Sequence, residues 1–150
     1  MTEAAQRVQR IYLLLTLLST LSASLIWGVN TLFLLDAALN NAQAFGANAA
    51  FTAGQVHFEV PTGVIADTVG RRASYLLGAA TLLLSTLLYL FMWSSEAPFW
   101  GWVISSVLIG LGFTFFSGAV EAWLVDALNA SDFDGEYETV FAKGQTTMGV

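Results

Sequence analysis

Residues that could perform chemistry are scarce in this chain. It has five basic and eleven acidic residues among 150, a single histidine, His57, and no cysteine. These counts exclude a disulfide framework, a thiol nucleophile, and a zinc site built from cysteines or several histidines. The chain also lacks the G-x-x-x-x-G-K-[ST] loop that binds nucleotide phosphates. We therefore predict no catalytic residues, no metal and no cofactor.

One candidate site is a series at four-residue spacing: Gln55, Glu59, Gly63 and Asp67. In a helix this spacing gives a slowly drifting stripe on one face. Glu59 lies in the middle of an uncharged segment, where low dielectric favours a protonated carboxyl group, so Glu59 could carry a proton. Pro61 removes a backbone donor in the same segment and predicts a kink. A structural hydrogen bond to a neighbouring helix explains Glu59 equally well.

Two further polar patches are candidates for contact with a solute. Glu121 follows Ser117 and Thr114 by one and two helical turns, which places them on one helix face. Asn30 forms a second patch within another apolar segment. Gating, binding and a simple interhelical pair all fit Glu121. A packing hydrogen bond fits Asn30 at least as well as a solute contact does.

The elements that must position these residues are long uncharged helices. Hydrophobic residues make up 56% of the chain, and its mean hydropathy is +0.67. A small soluble core could not bury so much apolar surface, and a nucleic-acid binder would need more basic residues. Because a membrane-spanning helix needs about 20 mostly apolar residues, we predict an all-α integral membrane protein. The expected spans are about 11–35, 46–66, 73–93 and 98–124, with a fifth helix starting near 141.

The basic residues fall on one side of the membrane in this arrangement. They precede the first span, separate the second from the third, and follow the fourth: Arg7, Arg10, Arg71, Arg72 and Lys143. The positive-inside rule places this side in the cytoplasm. We therefore predict a multi-pass protein of the plasma (cell inner) membrane with a cytoplasmic N-terminus.

Two other segments mark where helices leave the hydrocarbon. Segment 126–138 is acidic, with Asp132 and Asp134 among its charges, and should lie outside the hydrocarbon. At the opposite end of the third and fourth spans lie three tryptophans: Trp93, Trp100 and Trp102. We expect these three to form part of an aromatic belt at the membrane interface.

The most informative segment is Gly63-Val-Ile-Ala-Asp67-Thr-Val-Gly70-Arg71-Arg72, between the second and third spans. A glycine at position 63 would let another helix approach closely. Gly70 permits a turn with positive φ. A guanidinium group such as that of Arg71 can form forked hydrogen bonds with a carboxylate.

This segment resembles the signature of the major facilitator superfamily, G-x-x-x-D-[RK]-x-G-R-[RK], which lies between the second and third helices of that family. Five of the six specified positions match, and Thr68 replaces the usual basic residue. The resemblance covers the whole chain. It implies part of a six-helix half of a twelve-helix transporter, with helices one to four and the start of helix five.

The resemblance also implies a conformational latch for the outward-open state. Its residues would be Gly63, Asp67, Gly70, Arg71, Arg72 and Asp126. In the family, the signature aspartate contacts the other half of the transporter, and an arginine pairs with an acidic residue that ends the fourth helix. These would be Asp67, Arg71 and Asp126. The alternative is that Arg71 and Arg72 act only as topological anchors.

The fourth span also resembles the family's fourth helix, with one departure. Its glycines, Gly110 and Gly112, match that helix, but Ser106 occupies a position where the family often has an arginine. That arginine is associated with proton coupling in many members. The resemblance therefore does not support that particular coupling route here.

The leading hypothesis is a secondary active transporter that moves a small solute by alternating access, driven by an ion gradient. Solute and possible protons would follow a path lined by Asn30, Gln55, Glu59 and Glu121. The chain stops within a sequence typical of a helix start, which predicts an N-terminal piece whose partner is the C-terminal half of the same transporter. The alternatives are a membrane enzyme, which lacks a nucleophile–base set here, and a small multi-helix subunit or scaffold without transport activity.

Overall fold

The computed structural model describes residues 3–131 and 135–149, and these ranges form five α-helices without a strand. The helices are α1 (Glu3–Asp36), α2 (Asn41–Thr68), α3 (Arg71–Ser94), α4 (Phe99–Asn129) and α5 (Tyr137–Met148). The prediction of an all-α fold is confirmed. Asp132 and Asp134 of the acidic segment lie outside the described residues.

The helix ends follow local sequence signals. The Asn40 side chain accepts a hydrogen bond from the Gln43 amide at 2.9 Å, and the Gln43 side chain accepts one from the Asn40 amide at 3.0 Å. This capping box starts α2 five residues before the predicted span. α5 likewise begins earlier than position 141, because Glu136 has an extended backbone and Glu138 places negative charge in the first turn.

Residues Asn30–Ala119 form one compact unit. Its core joins the end of α1 to α2, α3 and α4 through six buried residues: Leu34, Leu39, Ala44, Ala47, Tyr89 and Trp102. Glycines let α2 and α4 approach closely. A Cβ atom on Gly54 would lie 2.9 Å from the carbonyl oxygen of Val107, and one on Gly110 would lie 2.5 Å from that of Phe51. Small residues at helix contacts are typical of membrane bundles.

The contacts in this unit also fix helix directions. Along α2 and α4, Gly46 lies next to Phe99 and Gly54 next to Val107, so these helices are parallel. The hydroxyl groups of Tyr89 on α3 and Ser106 on α4 are hydrogen-bonded to each other. At the other end of α3, the Ser74 hydroxyl donates a hydrogen bond to the Phe115 carbonyl of α4. α3 therefore runs antiparallel to α4, and the chain reverses direction at each connection from α2 to α4.

Residues Met1–Val29 and Val120–Val150 form the second unit. Its core packs the start of α1 against the end of α4 and against α5: Ala5, Tyr12, Leu124, Leu128 and Val140. The rings of Tyr12 and Phe141 meet edge to face, with centroids 6.3 Å apart. Between Leu17 and Val29, most α1 side chains are exposed.

Three helices of the described chain are long and apolar enough to cross a membrane, namely α1, α3 and α4. α2 is 28 residues long, which suffices for a crossing by length. Its polar residues, Gln55, His57 and Glu59 among them, make it less apolar than the other three helices. The crossing by α2 stays a prediction.

Candidate functional site

The turn between α2 and α3 carries the signature residues. Gly70 has φ 111°, in the region that favours glycine, and its carbonyl accepts the Ser74 amide at 3.1 Å to start α3. This agrees with the positive-φ turn predicted at Gly70. Asp67 lies in the last turn of α2 and Arg71 begins α3. The turn between them lets the two side chains form an ion pair.

The Asp67–Arg71 pair is partly solvated. The Asp67 side chain is 68% exposed and that of Arg71 is 26% exposed. Exposed pairs contribute about 0.2–1 kcal/mol to stability. The pair therefore adds little to holding the turn together, and the acidic side chain keeps most of its surface open to a further partner.

The other signature residues lie in less constrained surroundings. Arg72 is exposed. A Cβ atom on Gly63 would meet nothing within 4 Å among the described residues. The close helix approach predicted at Gly63 is therefore not made by any helix in the described part of the chain.

Asp126 lies near the end of α4, on an exposed position of the last two turns. It belongs to the unit of the two chain termini, whereas Asp67 and Arg71 belong to the unit Asn30–Ala119. The pairing of Arg71 with Asp126 stays a prediction.

The stripe on α2 is accessible along its length. Gln55 is half-buried, whereas Glu59 is exposed. α2 continues through Pro61, which cannot donate to the His57 carbonyl. Next to it, the Thr62 hydroxyl donates to the Phe58 carbonyl at 2.8 Å.

The two remaining path candidates differ in their surroundings. Asn30 is half-buried, and its Nδ2 donates to Oδ1 of Asn48 on α2 at 2.9 Å. This bond favours the packing role for Asn30 over a solute contact. Glu121 is exposed on α4. Its stripe partners are bonded to their own helix, Thr114 to the Leu111 carbonyl and Ser117 to the Phe113 carbonyl.

The belt prediction is wrong for one of the three tryptophans. Trp100 is 71% exposed and Trp93 is 47% exposed, but Trp102 is only 1% exposed. Two positions along a helix turn a side chain by about 200°. Trp102 therefore points inward and packs edge to face on Tyr89, with ring centroids 5.2 Å apart.

Several polar contacts between helices were not predicted, and two of them join the ends of long helices or buried side chains. The Tyr89 and Ser106 hydroxyl groups are bonded at 2.6 Å in a buried position. Trp93 Nε1 donates to Oδ2 of Asp36, at the end of α1, at 3.2 Å. A tyrosine in an apolar span usually finds a partner for its hydroxyl group, and this rule could have flagged Tyr89. In the part of the chain that the structure describes, no group of three or more His, Asp or Glu could hold a metal ion.

The three long apolar helices indicate a multi-pass α-helical membrane protein. The model of the Major Facilitator Superfamily matches residues 12–135, and the chain belongs to this family. The predicted resemblance and fold class are therefore confirmed. Comparisons with curated proteins and with solved structures returned no match.

The family assignment fixes the general role. Members of this family are integral membrane transporters, so the protein is a transporter that resides in a lipid bilayer and acts on a small-molecule substrate. The family consists of transporters and not of enzymes.

Proposed function

We propose that this protein is a secondary active transporter that moves its solute by alternating access and draws energy from an ion gradient. The observation that carries the proposal is the Asp67–Arg71 ion pair at the Gly70 turn, in a chain that belongs to a transporter family. A solvated pair of this kind contributes little to stability. The pair lies where α2 ends and α3 begins, and a weak contact at this place could form and break during each transport cycle.

The proposed latch consists of Gly63, Asp67, Gly70, Arg71, Arg72 and Asp126. The open space beside Gly63 and the exposed carboxylate of Asp67 support a partner helix at this end of α2. We propose that this helix belongs to the C-terminal half of the same transporter. Arg71 would then pair with Asp126 in the outward-open state, and the latch would bias the equilibrium between the two states.

The proposed path for solute and protons uses the exposed or half-buried polar residues of the helices. Glu59 and Gln55 on α2 and Glu121 on α4 are accessible to a solute. Asn30 belongs to the proposed path as a packing residue, because its amide group is held by the bond to Asn48. Glu59 is the candidate proton carrier, because a carboxylate in an apolar span is costly unless it is paired or protonated.

We further propose that the protein resides in the plasma (cell inner) membrane with its N-terminus in the cytoplasm. The support is the distribution of basic residues, which lie at the start of α1, at the α2–α3 turn and in α5. The alternation of helix direction from α2 to α4 is compatible with this topology.

The latch is tested by transport in vesicles that contain the protein expressed from its intact gene. Uptake and efflux of a panel of sugars, amino acids and cationic dyes would be measured for the unmodified protein, Asp67→Asn and the matched control Glu96→Gln. Glu96 is an exposed carboxylate at the opposite end of α3. We expect Asp67→Asn to lower transport at least tenfold and Glu96→Gln to leave it unchanged. Undiminished transport by Asp67→Asn would remove the latch role.

A further inference from the structure

A buried polar cluster joins α3 to α4 and includes no residue of the proposed latch or path. It consists of Tyr89, Trp102 and Ser106, which are 7%, 1% and 1% exposed, respectively. The Tyr89 and Ser106 hydroxyl oxygens are 2.6 Å apart. Trp102 and Ser106 share a helix face, because they are four residues apart on α4. The three side chains therefore occupy one small buried region, which Phe33 of α1 closes with ring contacts to both Tyr89 and Trp102.

Two donor hydrogens of this cluster have no acceptor among the described residues. Tyr89 and Ser106 each carry one hydroxyl hydrogen, and their mutual bond uses one of the two. Ser105, by contrast, satisfies its hydroxyl by donating to the Gly101 carbonyl at 2.8 Å, and no such bond is described for Ser106. The Trp102 indole N–H is buried and has no hydrogen-bond partner among the described residues. One hydroxyl hydrogen and one indole hydrogen are therefore left without an acceptor.

Buried donors without an acceptor are rare, because each loses its hydration without compensation. We propose that Tyr89, Trp102 and Ser106 form a binding site for one ordered water molecule, whose oxygen accepts the indole hydrogen and the remaining hydroxyl hydrogen. Buried waters bind to two to four polar atoms, and this buried region holds three, the indole nitrogen and the two hydroxyl oxygens. The 1% exposure of Trp102 excludes a solute-sized ligand in this arrangement of the helices. The bound water would link α3 to α4 through hydrogen bonds that involve no charged group.

The proposal is tested by nuclear magnetic resonance of the full-length protein, labelled with ¹⁵N-tryptophan, in lipid nanodiscs. The indole N–H signal of Trp102 is assigned by loss in Trp102→Phe. Should that variant not fold, it is assigned by elimination, with Trp→Phe variants of the other tryptophans, Trp100 among them. We expect the Trp102 proton signal at the downfield position of a hydrogen-bonded indole, with a cross-peak to water.

Matched serine variants distinguish the water site from general packing. Ser106→Ala and Tyr89→Phe each remove a hydroxyl group of the cluster, and we expect both to shift the Trp102 indole signal. Ser105→Ala removes a buried hydroxyl group that is bonded only within α4, so it should leave the signal in place. A Trp102 signal at the upfield position of a free indole, without a water cross-peak, would overturn the proposal. Equal effects of Ser105→Ala and Ser106→Ala would overturn it as well.

Discussion

Asp67 and Asn30 illustrate how differently two polar residues can serve a membrane helix. Asp67 is exposed and its ion pair with Arg71 is solvated, whereas Asn30 is half-buried and bonds a second amide, Asn48, inside the helix packing. The first arrangement costs little to break, while the second holds two helices together. Residue-scale experiments should therefore separate transport from stability.

For Asn30, we expect loss of stability without a change in solute specificity. Asn30→Ala removes the 2.9 Å bond and leaves the Asn48 amide without that partner, so the free energy of unfolding should fall by about 1 kcal/mol. Asn48→Ala should cost a similar amount, and the double variant less than the sum of the two. Thermal unfolding in detergent measures these values. A raised KM in Asn30→Ala alone would instead assign Asn30 to the solute site.

For Glu59, we expect a loss of energy coupling. Glu59→Gln keeps the hydrogen-bonding shape of the side chain but cannot release a proton, so accumulation driven by an imposed pH gradient should disappear. Exchange of solute across the membrane without a gradient should persist. Glu121→Gln, measured alongside, shows whether the second exposed carboxylate of the path shares the role. Unchanged pH-driven accumulation in Glu59→Gln would contradict proton carriage by this residue.

At the scale of helices, glycine contacts set how closely α2 and α4 pack. A Cβ atom on Gly110 would lie 2.5 Å from the Phe51 carbonyl oxygen and 3.0 Å from the Gln55 nitrogen, and backbone atoms cannot move aside as a flexible side chain can. Gly110→Ala should therefore separate the helices and lower the free energy of unfolding by about 1–3 kcal/mol. The control is Gly28→Ala, since a Cβ there meets nothing within 4 Å of the described chain. Equal melting temperatures for the two variants would contradict close packing at Gly110.

The sequence predicts these helices better than it predicts their contacts. Uncharged segments and the Gly70 turn indicate where helices lie and where one turn falls, because turn formation depends on neighbouring residues. The capping box at Asn40 was not predicted, and α2 begins five residues before the expected span. The inward direction of Trp102 and its contact with Tyr89 depend on how α3 and α4 face each other. The hydropathy of the sequence does not determine how each helix is rotated about its own axis relative to its neighbour. The signature was recognisable because its residues are adjacent in sequence, whereas the Tyr89–Ser106 pair joins two helices.

At the scale of the whole molecule, topology is the property on which latch, path and coupling all depend. The predicted topology places the N-terminus and the α2–α3 turn on the cytoplasmic side, and the α1–α2 and α3–α4 connections on the other. α2 must cross the membrane for this to hold, although it is the most polar of the four long helices. Its parallel course with the apolar helix α4 favours the crossing.

These 150 residues contain no cysteine, so a single cysteine introduced among them is their only thiol, and its labelling reports the topology. Single cysteines at four exposed positions would be labelled with a membrane-impermeant maleimide in intact cells: Gln6, Ala38, Val69 and Glu96. We expect Ala38→Cys and Glu96→Cys to react in intact cells, and Gln6→Cys and Val69→Cys to react only after permeabilisation. Equal labelling of Ala38→Cys and Val69→Cys in intact cells would mean that α2 does not cross. The Asp67–Arg71 pair would then lie on the opposite side from a cytoplasmic N-terminus, and the latch could not act as proposed.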